Sequence, residues 1–256
     1  MKANYHTHTT GSDGKLQPGD LIKLAIKKKF KVLGITDHYH IPAGFRNPSN
    51  EMYSYYSDEH YSELCKLKKK YRDKIKILVN VEFDWIGDYK KWLKKEAIRR
   101  KYDLRYISVH YIKMKKGYVP LDWTEKGFQE MIKDFGSVKK LVRWYYSSLR
   151  KAIKMNCFDV VAHIDLIKIW NKDKKYFSGD EEWYKKEVSK TLKLIKKMKM
   201  KIDLNSSGLK KPCSEQYPSS KILMEAKKIG ISFLIGSDAH NSGELENGLE
   251  KVGKLI

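Results

Sequence analysis

Seven apolar runs of strand length recur along the chain, at 3–6, 32–36, 75–82, 104–110, 158–163, 201–205 and 231–236, each followed by a polar cluster and then by a segment with helical spacing. That alternation marks βα units and a parallel sheet. The helical segments include 20–29 behind Pro18, 58–71, 90–101 and 183–199. In the last, Tyr184, Val188, Leu192, Ile195 and Met198 fall three or four apart with lysines on the opposite side, which predicts an amphipathic helix laid on a sheet. Ser219, directly after Pro218, predicts the cap of another helix with Ile222, Leu223, Ala226 and Ile229 facing inward. Seven such units in 256 residues fit a small parallel α/β barrel, one domain over 1–256, better than an open doubly wound sheet. Two stretches exceed ordinary connection length: 41–57, and 113–155, which must hold helices of its own around 128–135 and 138–153. Long insertions at strand ends form lids or substrate walls.

The charge narrows the partners. With 53 Lys+Arg against 31 Asp+Glu the formal charge is +22, and charge alone favours a polyanion. Yet only seven of the basic residues are arginine, and the lysines run in pairs and triplets such as 27–29 and 68–70 on amphipathic segments, as on solvated helix faces. No RNP-like, helix-turn-helix or zinc-finger pattern occurs, and the aromatics are dispersed, so a nucleic-acid partner is not expected. No stretch approaches the roughly 18 apolar residues of a membrane span. Tyr5-His6-Thr7-His8 stands where a signal peptide would need its apolar core, and the expected compartment is the cytoplasm. Cys65, Cys157 and Cys213 are too few and too scattered for a disulfide framework, lie in no nucleophile motif, and read as buried thiols.

The placement of the histidines carries the chemistry. Of eight, His6 and His8 end the first strand, His38 the second, His110 and His163 close the runs 107–110 and 160–163, and His240 follows the last. In a parallel α/β fold the carboxyl ends of the strands converge on one face, so six imidazoles meet there. Asp13, Glu82 and Asp238 reach the same rim. Residues two apart on a strand point to one side, so His6 and His8 can serve one ion while Asp238 and His240 reach two. Six imidazoles and three carboxylates exceed the needs of one divalent ion, which implies two or three. Imidazole and carboxylate without thiolate suit Zn, Fe or Mn. His40 and His60 fall outside the pattern, and Asp37 and Asp84 read either as acceptors that orient a ligand or as turn residues.

The series His6-Thr-His8, Asp13-Gly14, Ile35-Thr36-Asp37-His38, Glu82, His110, Ala162-His163 and Gly236-Ser237-Asp238-Ala239-His240 resembles the PHP (polymerase and histidinol phosphatase) superfamily, matching its nine ligand positions in order. Three further stretches, 162–168, 205–210 and 217–219, resemble its stand-alone histidinol-phosphate phosphatase branch. The resemblance covers essentially the whole chain and implies a distorted (β/α)7 barrel with three metals at the C-terminal ends of the strands. It implies His6, His8, Glu82 and Asp238 on the first ion, Glu82 as a bridge with His110 and His163 on the second, and Asp13, His38 and His240 on the third. The family often has His where Asp13 stands, which implies a weaker or different third ion. The chain ends soon after the segment at Leu249, and a short final helix is expected.

Bound divalent metal lowers the pKa of water from about 15.7 to about 7 and so supplies a nucleophile without Ser or Cys. The expected reaction is phosphomonoester hydrolysis, with Glu82 as the bridging carboxylate and Lys168 and Lys210 as candidates for the phosphate oxygens. Asp165 is a candidate proton donor or a helix cap. By resemblance the substrate is L-histidinol phosphate, in a step of histidine biosynthesis. Two alternatives stand beside it: a PHP phosphoesterase acting on phosphotyrosine, a nucleotide or a DNA end, and a basic nucleic-acid-binding module with a vestigial metal site. Acidic residues in the two long insertions are where recognition of the substrate amine is expected.

Overall fold

A computed structural model of the chain describes residues 1–42, 45 and 56–256. Its elements in chain order are β1 (Ala3–Asn4), α1 (Pro18–Lys27), β2 (Val32–Ile35), α2 (Asp58–Lys70), β3 (Lys76–Val79), β4 (Val81–Asp84), α3 (Lys90–Arg99), β5 (Arg105–Ser108), β6 (Tyr111–Met114), β7 (Gly117–Pro120), α4 (Glu125–Phe135), α5 (Val138–Ile153), β8 (Val160–Val161), α6 (Glu182–Lys197), β9 (Lys201–Asn205), α7 (Ser220–Lys228), β10 (Phe233–Gly236) and α8 (Leu249–Gly253), with 3-10 turns between. The order is that of a βα protein. Strands such as β2, Val-Leu-Gly-Ile, are buried at every position because elements cover both faces of the sheet. The expected short final helix is the five-residue α8.

The strands do not close into one barrel. They divide into a parallel sheet ordered β1-β2-β3 and another ordered β10-β9-β8-β5-β4, with β6-β7 as a separate antiparallel hairpin. The division falls inside the run 75–82, expected as one strand. The Asn80 N–H donates back to Ile35 O (2.9 Å), whereas the Val81 N–H donates forward to Leu104 O (3.2 Å), so the chain steps from one sheet to the other at this asparagine. At the other seam Tyr5 N–H donates to Ile235 O and Asp238 N–H to His6 O, both at 2.9 Å. Isolated parallel bridges at Thr7–Ala239 and His38–Glu82 complete the lacing. Both seams therefore run through the residues expected to hold metal.

The helices follow their sequence signals. Thr124 Oγ1 accepts from Gly127 N–H to open α4, and Gly136 closes it at φ +77°, the left-handed conformation glycine adopts without strain. Val188, Leu192 and Ile195 of α6 are buried as the spacing predicts, as are Leu141, Tyr145 and Leu149 of α5, each methylene removed from water contributing about 0.8 kcal/mol. Ser219 occupies the N-cap position of α7, but its side chain does not cap the helix. Carboxylates from elsewhere do so: Asp165 Oδ2 accepts from Ser219 N–H and Glu215 Oε1 from Ser220 N–H, both at 2.8 Å.

The insertion 113–155 holds α4 and α5 as expected, together with most of the β6–β7 hairpin, which was not. The insertion 41–57 lies mostly outside the described residues. All three cysteines are free, but only Cys157 is buried, where burial pushes its thiol up to about 11; Cys65 and Cys213 are half-buried. Among the described residues no helix is long and apolar enough to cross a membrane.

Candidate metal centre

The nine expected donors come together. His6 and His8 leave the end of β1 on one side, with their Nε2 atoms 3.1 Å apart. Glu82, in β4 and fully buried, stands between the histidines of both sheets: its Oε2 is 3.0 Å from His6 Nε2 and 3.6 Å from His38 Nδ1, and its Oε1 is 3.0 Å from His163 Nε2 and 3.8 Å from His110 Nε2. Asp238, at φ +55° two residues after β10, turns Oδ1 to within 3.0 Å of His8 Nε2 and 3.6 Å of His6 Nε2. Asp13 is nearer the surface, its Oδ1 3.3 Å from His240 Nε2 and its Oδ2 4.0 Å from His38 Nε2. Four groups result: His6, His8 and Asp238; Glu82, His110 and His163; His38, Asp84 and His110; and His8, Asp13, His38 and His240, the ligand atoms of each lying within 4.8 Å of one another.

The orientation of the rings tests whether a cation belongs here. His6 Nδ1 is 2.8 Å from Asp203 Oδ2, His110 Nδ1 is 2.8 Å from Asp84 Oδ1, and His240 Nδ1 is 2.9 Å from the Asp238 carbonyl. Each of these neighbours only accepts, so each neutral ring carries its proton on Nδ1 and turns a bare Nε2 inward. The bare Nε2 of His6 then meets His8 Nε2 and Glu82 Oε2, acceptor against acceptor, in a place closed to water. Such a set is unfavourable until positive charge lies among its members. The donors fit divalent metal ions.

The titration behaviour says the same. Burial alone would lower His6, but Asp203, Asp238 and Glu82 outweigh it and hold the ring well above its ordinary value. Burial likewise opposes protonation of His110 and His240, yet Asp84 carries the first to about 10 and Asp13 and Asp238 carry the second to about 9. His8, pushed down to about 4 by burial and by the neighbouring His240 and His38, stays neutral. Burial works against an ionised Glu82, but His38, His6 and His163 hold it well below the ordinary carboxylate range. Protons collect on the imidazoles wherever carboxylates demand a cation.

Supporting residues surround the donors. Asp84, left open between two roles by the sequence, orients His110 and also forms a possible donor group with it and His38. Asp37 accepts from Thr9 N–H (2.5 Å), Thr9 Oγ1 (2.6 Å) and Ser12 Oγ (2.9 Å), which fixes the loop bearing Asp13. His60, expected to stand apart, lies 2.9 Å from Asp37 Oδ2 and so braces that loop from outside. Asp203 was missed. Its signal was present in Lys201-Ile-Asp-Leu-Asn, where strand alternation sends Asp203 and Asn205 to one side and the apolar Ile202 and Leu204 to the other.

Six of the donors, Asp13, His38, His110, His163, Asp238 and His240, open onto a cleft of ≈550 Å³ whose lining includes Lys210, Lys211, Tyr217 and Asp122. Lys210 is thus where a phosphate-binding residue was expected. Lys168 is not: it is 5% exposed, its Nζ donates to Gln216 O (2.7 Å) and Glu215 Oε2 (2.9 Å) and lies 3.1 Å from Asp165 Oδ2, and it lines a second cavity of ≈380 Å³. Asp165 serves as the cap of α7, the second of the two roles open to it.

The PHP domain family matches residues 4–207. The histidinol-phosphatase of Bacillus subtilis (strain 168) is 29% identical over 260 residues, covering 96% of this chain and 96% of its own. Among solved structures, the hisK protein from Listeria monocytogenes superposes with a TM-score of 0.89 at 22% identity, over 98% of this chain and 99% of its own. The histidinol phosphate phosphatase of Lactococcus lactis, solved in complex with Zn, L-histidinol and phosphate, does so with a TM-score of 0.76 at 19% identity, over 99% of this chain and 93% of its own.

Proposed function

The chain belongs to the PHP domain family, and on that premise we propose that it is a metal-dependent phosphomonoesterase hydrolysing L-histidinol phosphate to L-histidinol and phosphate, a step of histidine biosynthesis in the cytoplasm. One observation carries the proposal: nine nitrogen and oxygen donors crowd together beneath a cleft with ammonium groups and carboxylates in its walls. The end-to-end likeness to a histidinol-phosphatase and the ligands of the Lactococcus structure support the substrate. The two laced sheets are read as a single-domain, distorted (β/α)7 barrel with the donors at its mouth.

Two to three divalent ions, Zn, Fe or Mn, would be held as His6, His8, Glu82 and Asp238; Glu82, His110 and His163; and Asp13, His38 and His240. When bound, such ions supply an activated water and neutralise phosphate charge. The side chains do the rest. Glu82 divides its two oxygens between the histidines of opposite sheets and keeps a fixed spacing between the donor groups. Lys210 binds a phosphate oxygen of the ester, a charge-assisted hydrogen bond. Asp122, in the long insertion and lining the same cleft as Lys210, takes the ammonium of the substrate. Lys168, with its ammonium committed to three oxygens, supports the wall and does not bind phosphate.

The test is phosphate release from L-histidinol phosphate, phosphotyrosine and a nucleotide, beside a salt-dependent DNA shift. Release from histidinol phosphate is expected. Release confined to either of the others overturns the substrate, and no release with tight, salt-sensitive DNA binding favours the nucleic-acid module. Within the first outcome, Lys210→Met should raise KM roughly 10- to 100-fold, as loss of a hydrogen bond to a charged group does. Asp122→Asn should raise KM for histidinol phosphate and leave that for an amine-free phosphomonoester unchanged.

A further inference from the structure

Three parts of the centre, Asp203, Ser207 and Asp238, meet at the side chain of Asn205, which ends β9 and is fully buried. Its backbone pairs both ways with Tyr217, a residue of the cleft wall: Asn205 N–H donates to Tyr217 O (2.6 Å) and Tyr217 N–H to Asn205 O (2.9 Å). Asn205 Oδ1 accepts from the Ser207 N–H (2.9 Å), which settles which way round the amide sits. Nδ2 therefore faces two carboxylates, donating one hydrogen to Asp203 Oδ2 (2.9 Å) and the other to Asp238 Oδ2 (3.3 Å). Turned over, the amide would set its oxygen against two carboxylate oxygens and its nitrogen against an N–H.

Both acids depend on this arrangement. Asp203 Oδ1 has no hydrogen-bond partner among the described residues and is crowded by Gly236, where an added Cβ would come within 2.7 Å of it. The buried Asp203 carboxylate is thus held by Asn205 Nδ2 and by His6 Nδ1, the ring it orients. Asp238 is divided: Oδ2 faces the protein, accepting from Asn205 and from Ser207 Oγ (3.3 Å), while Oδ1 faces His8 and His6.

We propose that Asn205 is the positioning residue of the first ion's ligands, its amide holding Asp203 so that His6 keeps a bare Nε2 turned inward and withholding Asp238 Oδ2 so that Asp238 offers a single oxygen. Without the amide, Asp238 Oδ2 keeps only Ser207 Oγ and is freer to rotate or to chelate through both oxygens, and Asp203 keeps only His6 Nδ1. The inference rests on the metal-centre reading of the donor cluster and is independent of the substrate.

The test replaces the amide by a carboxylate of the same shape and by nothing: Asn205→Asp and Asn205→Ala. Zn²⁺ binding is followed by competition with a chromophoric chelator, alongside kcat and KM for L-histidinol phosphate and thermal unfolding of the chelated proteins. The expected result is a Zn²⁺ affinity and a kcat each lower by roughly 10- to 100-fold, as for other residues that orient metal ligands, with KM nearly unchanged and the metal-free proteins unfolding close to the parent. Parent-like Zn²⁺ affinity with parent-like kcat overturns the proposal, as does a rise in KM alone. Should the Asn205 variants not fold, Ser207→Ala removes the other donor to Asp238 Oδ2. Weakened Zn²⁺ binding in that variant supports the divided carboxylate and unaltered binding overturns it. A parent protein that takes up no Zn²⁺ at all overturns the reading of the site together with this role.

Discussion

At the loop after β8, Lys168 places one ammonium between Asp165, Glu215 and a main-chain carbonyl, with its Nζ 5.2 Å above the ring of Tyr217. Within β4, Glu82 is as deeply buried, yet among the described residues neither it nor Asp13 nor Asp238 has a lysine or arginine partner, and their only ion-pair neighbours are histidines. A chain with a +22 charge could have furnished such a partner many times over. The first cluster is closed by the sequence itself. The second is left open, with its protons already committed outward to Asp203, Asp84 and a carbonyl, and it is closed by ions from outside. Both bury carboxylates, and what separates them is whether a fixed positive charge of the chain lies among them.

The largest expected effect breaks the open cluster. Glu82→Gln should lower kcat by on the order of 10³, with the unfolding midpoint little changed, because a ligand shared between donor groups is lost while the core packing stays. Unchanged turnover at full metal content would take Glu82 out of the mechanism. Next, Lys168→Met should cost about 3–5 kcal/mol of stability, as removing one partner of a buried ion pair does, with metal content by elemental analysis equal to the parent's. Loss of metal without loss of stability in that variant would erase the distinction between the clusters. Asp84→Asn, which weakens the hold on His110, should reduce affinity for the second ion roughly 10- to 100-fold in a chelator titration. The smallest effect is expected at His60→Ala, where the lost hydrogen bond to Asp37 should lower stability by about 1 kcal/mol and leave kcat near the parent value. A collapse of activity there would make the Asp37 brace part of the site proper.

The donors were legible because a histidine at the end of an apolar run is a local pattern, and parallel topology converts local position into spatial convergence. The supporting residues were harder to see. Asp203 and Asn205 carried an alternation signal, but a polar residue in a strand acquires meaning only when its neighbour across the sheet is known. Nothing in the run 75–82 announced the step at Asn80, since the break lies in where two backbone N–H groups donate and not in any change of residue type. The β6–β7 hairpin was hidden inside the insertion 113–155, where only helices were expected. Lys168 was one lysine among many, and its burial depends on Asp165, Glu215 and Tyr217, up to 49 positions away.

The seam between the sheets has a mechanical consequence. His6, His8 and His38 belong to the three-stranded half, while Glu82, His110, His163, Asp238 and His240 belong to the five-stranded half. Only a few backbone hydrogen bonds and two isolated bridges lace these halves, so any ion held by donors from both would act as a rivet across the joint as well as a reagent.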